Sequence, residues 1–124
     1  MIFGNTISMS EKALDYLWKK QEVTSDNIAN VDTPGYKRKD VSFEETFRQK
    51  LQAAAGTKDQ SSIRKAIDSS SYLVYGSSDS ARVDENNVNL DYENTELART
   101  TLHYQYLLQS VSNDITRYTS AIKG

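Results

Sequence analysis

The chain has 124 residues, of which 37% are hydrophobic, so it fits one domain with a single small core. Its 15 Lys and Arg against 17 Asp and Glu leave a net charge of -2, without the basic excess that nucleic-acid binding exploits. It has no cysteine, which removes disulfide staples and thiolate metal sites together.

Polar and charged residues interrupt the front of the chain at Asn5, Ser8, Ser10, Glu11, Lys12, Asp15, Lys19 and Lys20, so no apolar signal segment or membrane span fits there. Export of such a chain would need a route without a cleaved apolar peptide. In sevens from Ile7, the positions Ile7, Leu14, Gln21 and Ile28 alternate with Ser10, Leu17, Thr24 and Val31. That is a helical seam diluted by polar residues. Ser8 and Glu11 have the spacing of a capping box, which predicts a helix over about 9 to 31. Pro34 disfavours helical backbone at Thr33, and Pro34-Gly35 suits the centre of a type II turn.

Phe43, Phe47 and Leu51 recur every fourth residue and predict a short helix from 43 to 54. Residues 53 to 87 are rich in Ser, Asp and Asn and read as loop, with one short strand at Tyr72 to Tyr75. The far end is strongly periodic: Leu90, Leu97, Tyr104, Val111 and Tyr118 fall seven apart, interleaved with Asn94, Thr101, Leu108, Ile115 and Ile122. Asn89 is placed to cap a helix from 90 to 122, with Asp91 and Glu93 favourable against its dipole. At 1.5 Å per residue this helix is roughly 50 Å long. The shorter front helix covers only part of it, so apolar residues near one end lack an internal partner. The terminal helices are therefore expected to order fully only on assembly.

The fold class that follows is mainly α: long N- and C-terminal helices in an antiparallel, coiled-coil-like hairpin, with a small irregular middle. A single domain over 1–124 divides into a front helix (1–33), a turn and polar middle (34–88) and a last helix (89–124). From Thr100 to Ile122 the formal charges are Asp114 and Arg117 alone, while Ser, Thr, Asn and Gln supply the polarity. Such a face suits burial against another subunit, although a solvated helix is the alternative.

Little in the sequence suggests catalysis or cofactor binding. His103 is the single histidine and stands in no HExxH pattern. Glu44-Glu45 and Asp84-Glu85 are sequence neighbours whose side chains diverge, and Ser69-Ser70-Ser71 lacks a nucleophile elbow. Lys37-Arg38-Lys39 reads as a turn exit or salt-bridging patch. No enzyme activity, cofactor, metal, nucleic acid or small-molecule substrate is expected.

The segment Asn27-Ile28-Ala29-Asn30-Val31-Asp32-Thr33-Pro34-Gly35-Tyr36 closely resembles the N-terminal signature of flagellar rod and hook axial proteins, N-x-A-N-x-x-T-P-G-[YF]. Asn27, Ala29, Asn30, Thr33, Pro34, Gly35 and Tyr36 are its fixed positions. The flanking KRKDVSFEETF and NNVNLDYENTELARTTLHYQYL resemble the proximal-rod members. Tyr104-Gln105-Tyr106-Leu107 stands where hook and distal-rod members usually carry Tyr-x-Ala-Asn, which points the same way. The resemblance covers roughly residues 7 to 50 and 83 to 124.

It implies a structural subunit of the flagellar basal body, exported by the flagellar type III apparatus. Its implied partners are other copies of itself, other rod proteins, the rod-to-ring adaptor and the membrane-embedded ring. The packing residues are then Ile7, Leu14, Leu17, Ile28, Val31, Leu90, Leu97, Tyr104, Leu108, Val111, Ile115, Tyr118 and Ile122. Asn27 and Asn30 share a helix face, where their amides bond to neighbouring groups, or else Asn30 caps the helix and Asn27 is solvated. The rival reading is a soluble helical adaptor or export chaperone that binds one partner through the same amphipathic helices.

Overall fold

A rigid turn at Thr33-Pro34-Gly35-Tyr36 decides where the first helix ends and the middle of the chain begins. The amide of Tyr36 donates to the Thr33 carbonyl at 3.2 Å, and Gly35 has φ of 75°. This is the predicted type II turn, with glycine at the position that requires positive φ. The computed structural model describes residues 2–55, 60–76 and 88–124. Elements run in the order α1 (Ile2–Ala29), β1 (Lys39–Ser42), α2 (Glu44–Ala55), α3 (Gln60–Asp68), β2 (Leu73–Gly76) and α4 (Leu90–Lys123).

The protein is mainly helical, and α1 and α4 form the antiparallel hairpin expected. Asn27 faces Glu93, Lys20 faces Glu96 and Trp18 lies against Tyr104, so residue numbers fall on one helix as they rise on the other. Asn89 caps α4 as read, its side-chain oxygen accepting from the Tyr92 amide at 3.2 Å. The front helix starts at Ile2 rather than near residue 9, which puts Ser8 and Glu11 inside it. They therefore form no capping box.

The middle holds more structure than its composition suggests. β1 and β2 pair antiparallel, Lys39 opposite Gly76 and Ser42 opposite Leu73, so the predicted strand at 72–75 is shifted by one residue. β1 itself was not anticipated, because four residues bounded by charges carry too short a pattern. α2 matches the predicted helix to within a residue, although the side chain of Leu51 lies outside the described residues. α3 corrects the reading of 53–87 as loop: Ile63, Ala66 and Ile67 put an apolar stripe on a Ser-rich segment, and Ile67 is fully buried. Ser69 and Ser70 then close this helix by donating to the Ala66 carbonyl at 3.2 and 2.6 Å. The serine triple is in part a helix stop. Asp84-Glu85 lies outside the described residues.

The core forms where the middle meets the hairpin. Tyr16, Leu17, Val23, Val41 and Phe43 are buried together, with Phe47, Tyr104 and Leu107 packed against them. Phe43 stacks between Tyr16 and Phe47 at centroid distances of 5.2 and 4.9 Å. Alternation along β1 aims Val41 inward, and Phe43, just past the strand's end, is buried beside it, so one short strand ties the middle to α1.

At Gly35 an added Cβ meets nothing within 4 Å, so the backbone angle alone penalises substitution. Gly35→Asn is expected to cost well under about 1 kcal/mol and Gly35→Val about 1–2 kcal/mol or more, since a β-branched residue resists positive φ. Urea denaturation of both variants checks this, and equal midpoints would contradict the turn assignment.

Candidate functional site

The recognisable decapeptide folds around one buried carboxamide. Asn27, in the last turn of α1, is fully buried and joins three parts of the chain. Its Nδ2 donates to the Lys39 carbonyl at 2.8 Å and to Glu93 Oε2 at 3.2 Å. Its Oδ1 accepts from the Lys39 amide at 2.9 Å and from the Tyr36 hydroxyl at 3.2 Å. A side-chain amide has two donor hydrogens and an oxygen with two lone pairs, and all four are used. Asn27 thus mimics a neighbouring strand to Lys39 while it holds α4 through Glu93.

Glu93 is a buried carboxylate, which is tolerable only with a counter-charge. Arg38 supplies it, donating from Nε to Glu93 Oε1 at 2.7 Å. The same guanidinium reaches Asp40 at 3.5 Å and lies 5.2 Å from the Tyr92 ring centroid. Burial opposes the charge of Arg38, but its bond to Glu93 and the nearby carboxylates outweigh that and hold it above the usual arginine range. Tyr36 is raised as well, first by burial and then by Asp26 and Glu93.

A second contact lies about one turn further on. Lys20 pairs with Glu96 at 3.3 Å, and Arg99 reaches the same carboxylate at 3.3 Å. Burial works against the Lys20 ammonium, yet Tyr16 and Glu96 more than compensate and raise it above the usual lysine range. Thr24 and Thr100 are buried nearby.

The two asparagines of the motif therefore part company. Asn30 is the helix stop: its Nδ2 donates to the Asp26 carbonyl at 2.8 Å and its Oδ1 accepts from Thr33 at 3.0 Å. Asn27 is not solvated. Ala29, Thr33, Pro34 and Gly35 are exposed on the turn, and Tyr36 is half-buried. Of the seam residues Leu17 is buried, while Ile7, Leu14, Ile28, Val31, Leu97, Tyr104 and Val111 are half-buried. Leu90, Leu108, Ile115, Tyr118 and Ile122 are exposed in the single chain. The inner face of α4 is Glu93, Thr100 and Leu107 with Leu97 and Tyr104, one residue round from the Asn94, Thr101 and Leu108 stripe. Ion pairs set that rotation, and an apolar count passes over them. Arg38 pairs with Glu93 and Asp40, in line with the reading of Lys37-Arg38-Lys39 as a salt-bridging patch; Glu96 was not singled out, although Glu93, Glu96 and Thr100 at helical spacing opposite Lys20 are a legible signal. His103 is exposed at the mouth of a cleft with Lys20 and Arg99.

Among the described residues no cluster of His, Cys, Asp or Glu could hold a metal ion, and no helix is long and apolar enough to cross a membrane. The hub is saturated with its own hydrogen bonds and offers no reacting group.

Comparison with known proteins agrees with this geometry. The model of the family described as "Flagella basal body rod protein" matches residues 9–37, a span that runs from α1 through Asn27 to the turn. The flagellar basal body rod protein FlgB of Bacillus subtilis (strain 168) is 34% identical over 125 residues, covering 99% of this chain and 97% of its own. The chain belongs to the flagellar basal body rod protein family. The protein of the same name from Escherichia coli (strain K12) is 31% identical over 119 residues, covering 88% of this chain and 86% of its own. That of Aquifex aeolicus (strain VF5) is 26% identical over 118 residues, covering 95% and 93%. This rod protein is accordingly a structural component of the flagellar basal body, and not an enzyme.

Removal of the hub amide should cost more than removal of the cap. Asn27→Ala strands the Lys39 amide and the buried Glu93 and is expected to destabilise by about 3 kcal/mol or more, against about 1 kcal/mol for Asn30→Ala. Chemical denaturation of the two variants decides between a hub and two equivalent caps. The raised groups also fix a pH response. Tyr36 and Lys20 hold their protons more tightly in the fold, so their contributions are complete below the ordinary values of 10.0 and 10.5 and fade as pH rises through the raised folded values. The urea midpoint should therefore drop as pH rises above about 10, and drop less in Tyr36→Phe.

Proposed function

We propose that the chain is a subunit of the proximal rod that polymerises through its terminal helices and passes torque along them. The observation that supports this is the state of α4. Leu108, Ile115 and Ile122 are 48, 49 and 70% exposed on a helix whose charges in that stretch, Asp114 and Arg117, pair with each other. A long helix of this kind, apolar yet not charged for solvation, is suited to burial between subunits. The seam residues named above, from Ile7 to Ile122, divide into those that close the hairpin and those left for neighbours. The hub of Asn27, Arg38 and Glu93 resists shear between the hairpin and the middle, as a torque-bearing unit requires.

The neighbours follow from this role: other copies, other rod proteins, the rod-to-ring adaptor and the membrane-embedded ring. Assembly beyond the cytoplasmic membrane would then proceed through the flagellar type III apparatus. Leu108→Asp puts a charge on the outer stripe without touching the chain's own core, whereas Leu17→Asp puts one inside it. The expected outcome for Leu108→Asp is normal cellular level, retained helical circular dichroism, absence from purified basal bodies and loss of motility; Leu17→Asp should fail to accumulate. A motile Leu108→Asp strain would remove the stripe from assembly. Wild-type chain missing from purified basal bodies would favour a soluble adaptor.

A further inference from the structure

A cleft of about 410 Å³ opens between α1 and α4, lined by Tyr16, Leu17 and Lys20 from one helix and Arg99, Thr100 and His103 from the other. Lys20 and Arg99 share a single carboxylate, Glu96, at 3.3 Å each, so one positive charge is left over. Thr100 is 3% exposed, and its hydroxyl has no hydrogen-bond partner among the described residues. Among those residues only Gln21 Nε2 is both unpaired and shut off from water, so the Thr100 hydroxyl stays open to the cleft. An anion that enters meets an ammonium, a guanidinium and a hydroxyl donor, beside the apolar walls of Leu17 and Tyr16.

The same chain carries the complement. Glu11 and Asp15 are exposed on α1, four residues apart, and neither has an ion pair or hydrogen bond among the described residues. Arg99 and His103 are exposed on α4 at the same spacing, so the two pairs can face each other at intervals of about 6 Å. Asp15 cannot turn into its own cleft. It stands five positions from Lys20 on the same helix, about 140° round the axis. In copies that lie side by side in one orientation, α1 of one runs antiparallel to α4 of the next, as the two helices do within the chain. Lys20 is level with the Glu96–Thr100 turn, so a displacement of five residues, about 8 Å, brings Asp15 to Arg99 and Glu11 to His103.

We propose that the cleft receives the Asp15 carboxylate of a second copy of this chain, held by Lys20, Arg99 and Thr100, with that copy's Glu11 against His103. The assignment rests on the rod reading and names a contact within it. The acidic and basic surfaces are different parts of the molecule, so each copy uses one and offers the other, and the contact repeats without closing on itself. Charge fixes the register. A slide of one turn in either direction leaves one of the two carboxylates without its cation.

Carbodiimide joins a carboxylate to an ammonium in direct contact and adds no spacer, so basal bodies purified with the wild-type chain test the pairing. The expected product is a cross-linked dimer or ladder with an Asp15–Lys20 bond between copies, identified by mass spectrometry, and absent in Asp15→Asn and in Lys20→Arg, which keeps the charge but lacks the amine. Arg99→Asp and Asp15→Arg should each lower the amount of chain in purified basal bodies at least about threefold, the worth of a partly exposed ion pair, and the variant carrying both should recover it. Asp15 has no partner in the single chain, so free Asp15→Arg should keep the wild-type urea midpoint. Single variants that enter basal bodies at the wild-type level, or a double variant that does not recover, overturn the contact and leave the rod reading intact. Cross-linking of Lys20 to Glu96 alone, or to another protein, overturns it as well. Wild-type chain absent from basal bodies overturns the rod reading itself.

Discussion

The structure depends on keeping Glu93 charged and buried. A carboxylate out of contact with water has to be neutralised and hydrogen-bonded on both oxygens, and here Arg38 takes one and Asn27 the other. Neither partner is near Glu93 in sequence, so the pair is satisfied only when the end of α1, the exit from the turn and the start of α4 meet. Apolar burial is too thin to impose that meeting alone, since six hydrophobic residues are buried among the described positions. The polar hub supplies specificity where the small core supplies mainly attraction.

The turn and the hub are one device. Thr33-Pro34-Gly35-Tyr36 reverses the chain in the space that puts Lys39 beside Asn27, and the Tyr36 hydroxyl then returns to Asn27 Oδ1. The Lys39 amide and carbonyl, both bonded to Asn27, start β1 in a fixed register, and Val41 and Phe43 therefore point into the core. A shift of one residue in the turn would aim that pair outward instead. In this way a ten-residue motif at the end of one helix sets the placement of an aromatic stack some ten residues away.

Much of the hairpin was legible in the sequence because helix ends and long seams have strong local signatures: Asn89 at the start of α4, Pro34-Gly35 after α1 and the seven-residue repeats. The hub was not, for a physical reason. Asn27 is an ordinary helix-end residue until its partners are known, and Glu93 in a first turn is explained by the dipole alone. Both are set by contacts across 66 positions of sequence, which no local pattern records. α3 was hidden differently, by serines that cap its end yet read as loop, while Ile63 and Ile67 were too few to make a period.

The orientation of α4 shows why an apolar seam read from sequence divides into two surfaces. A helix about 50 Å long has more apolar positions than one neighbour can cover, and the residues that pack within the chain are chosen by the ion pairs at its start. Glu93 and Glu96 turn Thr100 and Leu107 toward α1, and this rotation carries Leu108 and Ile115 out of the hairpin. The polar contacts that order the single subunit therefore also determine which apolar residues it leaves exposed. A change at Glu96 would move the exposed stripe without touching it, because rotating α4 by one residue turns that stripe by about 100°.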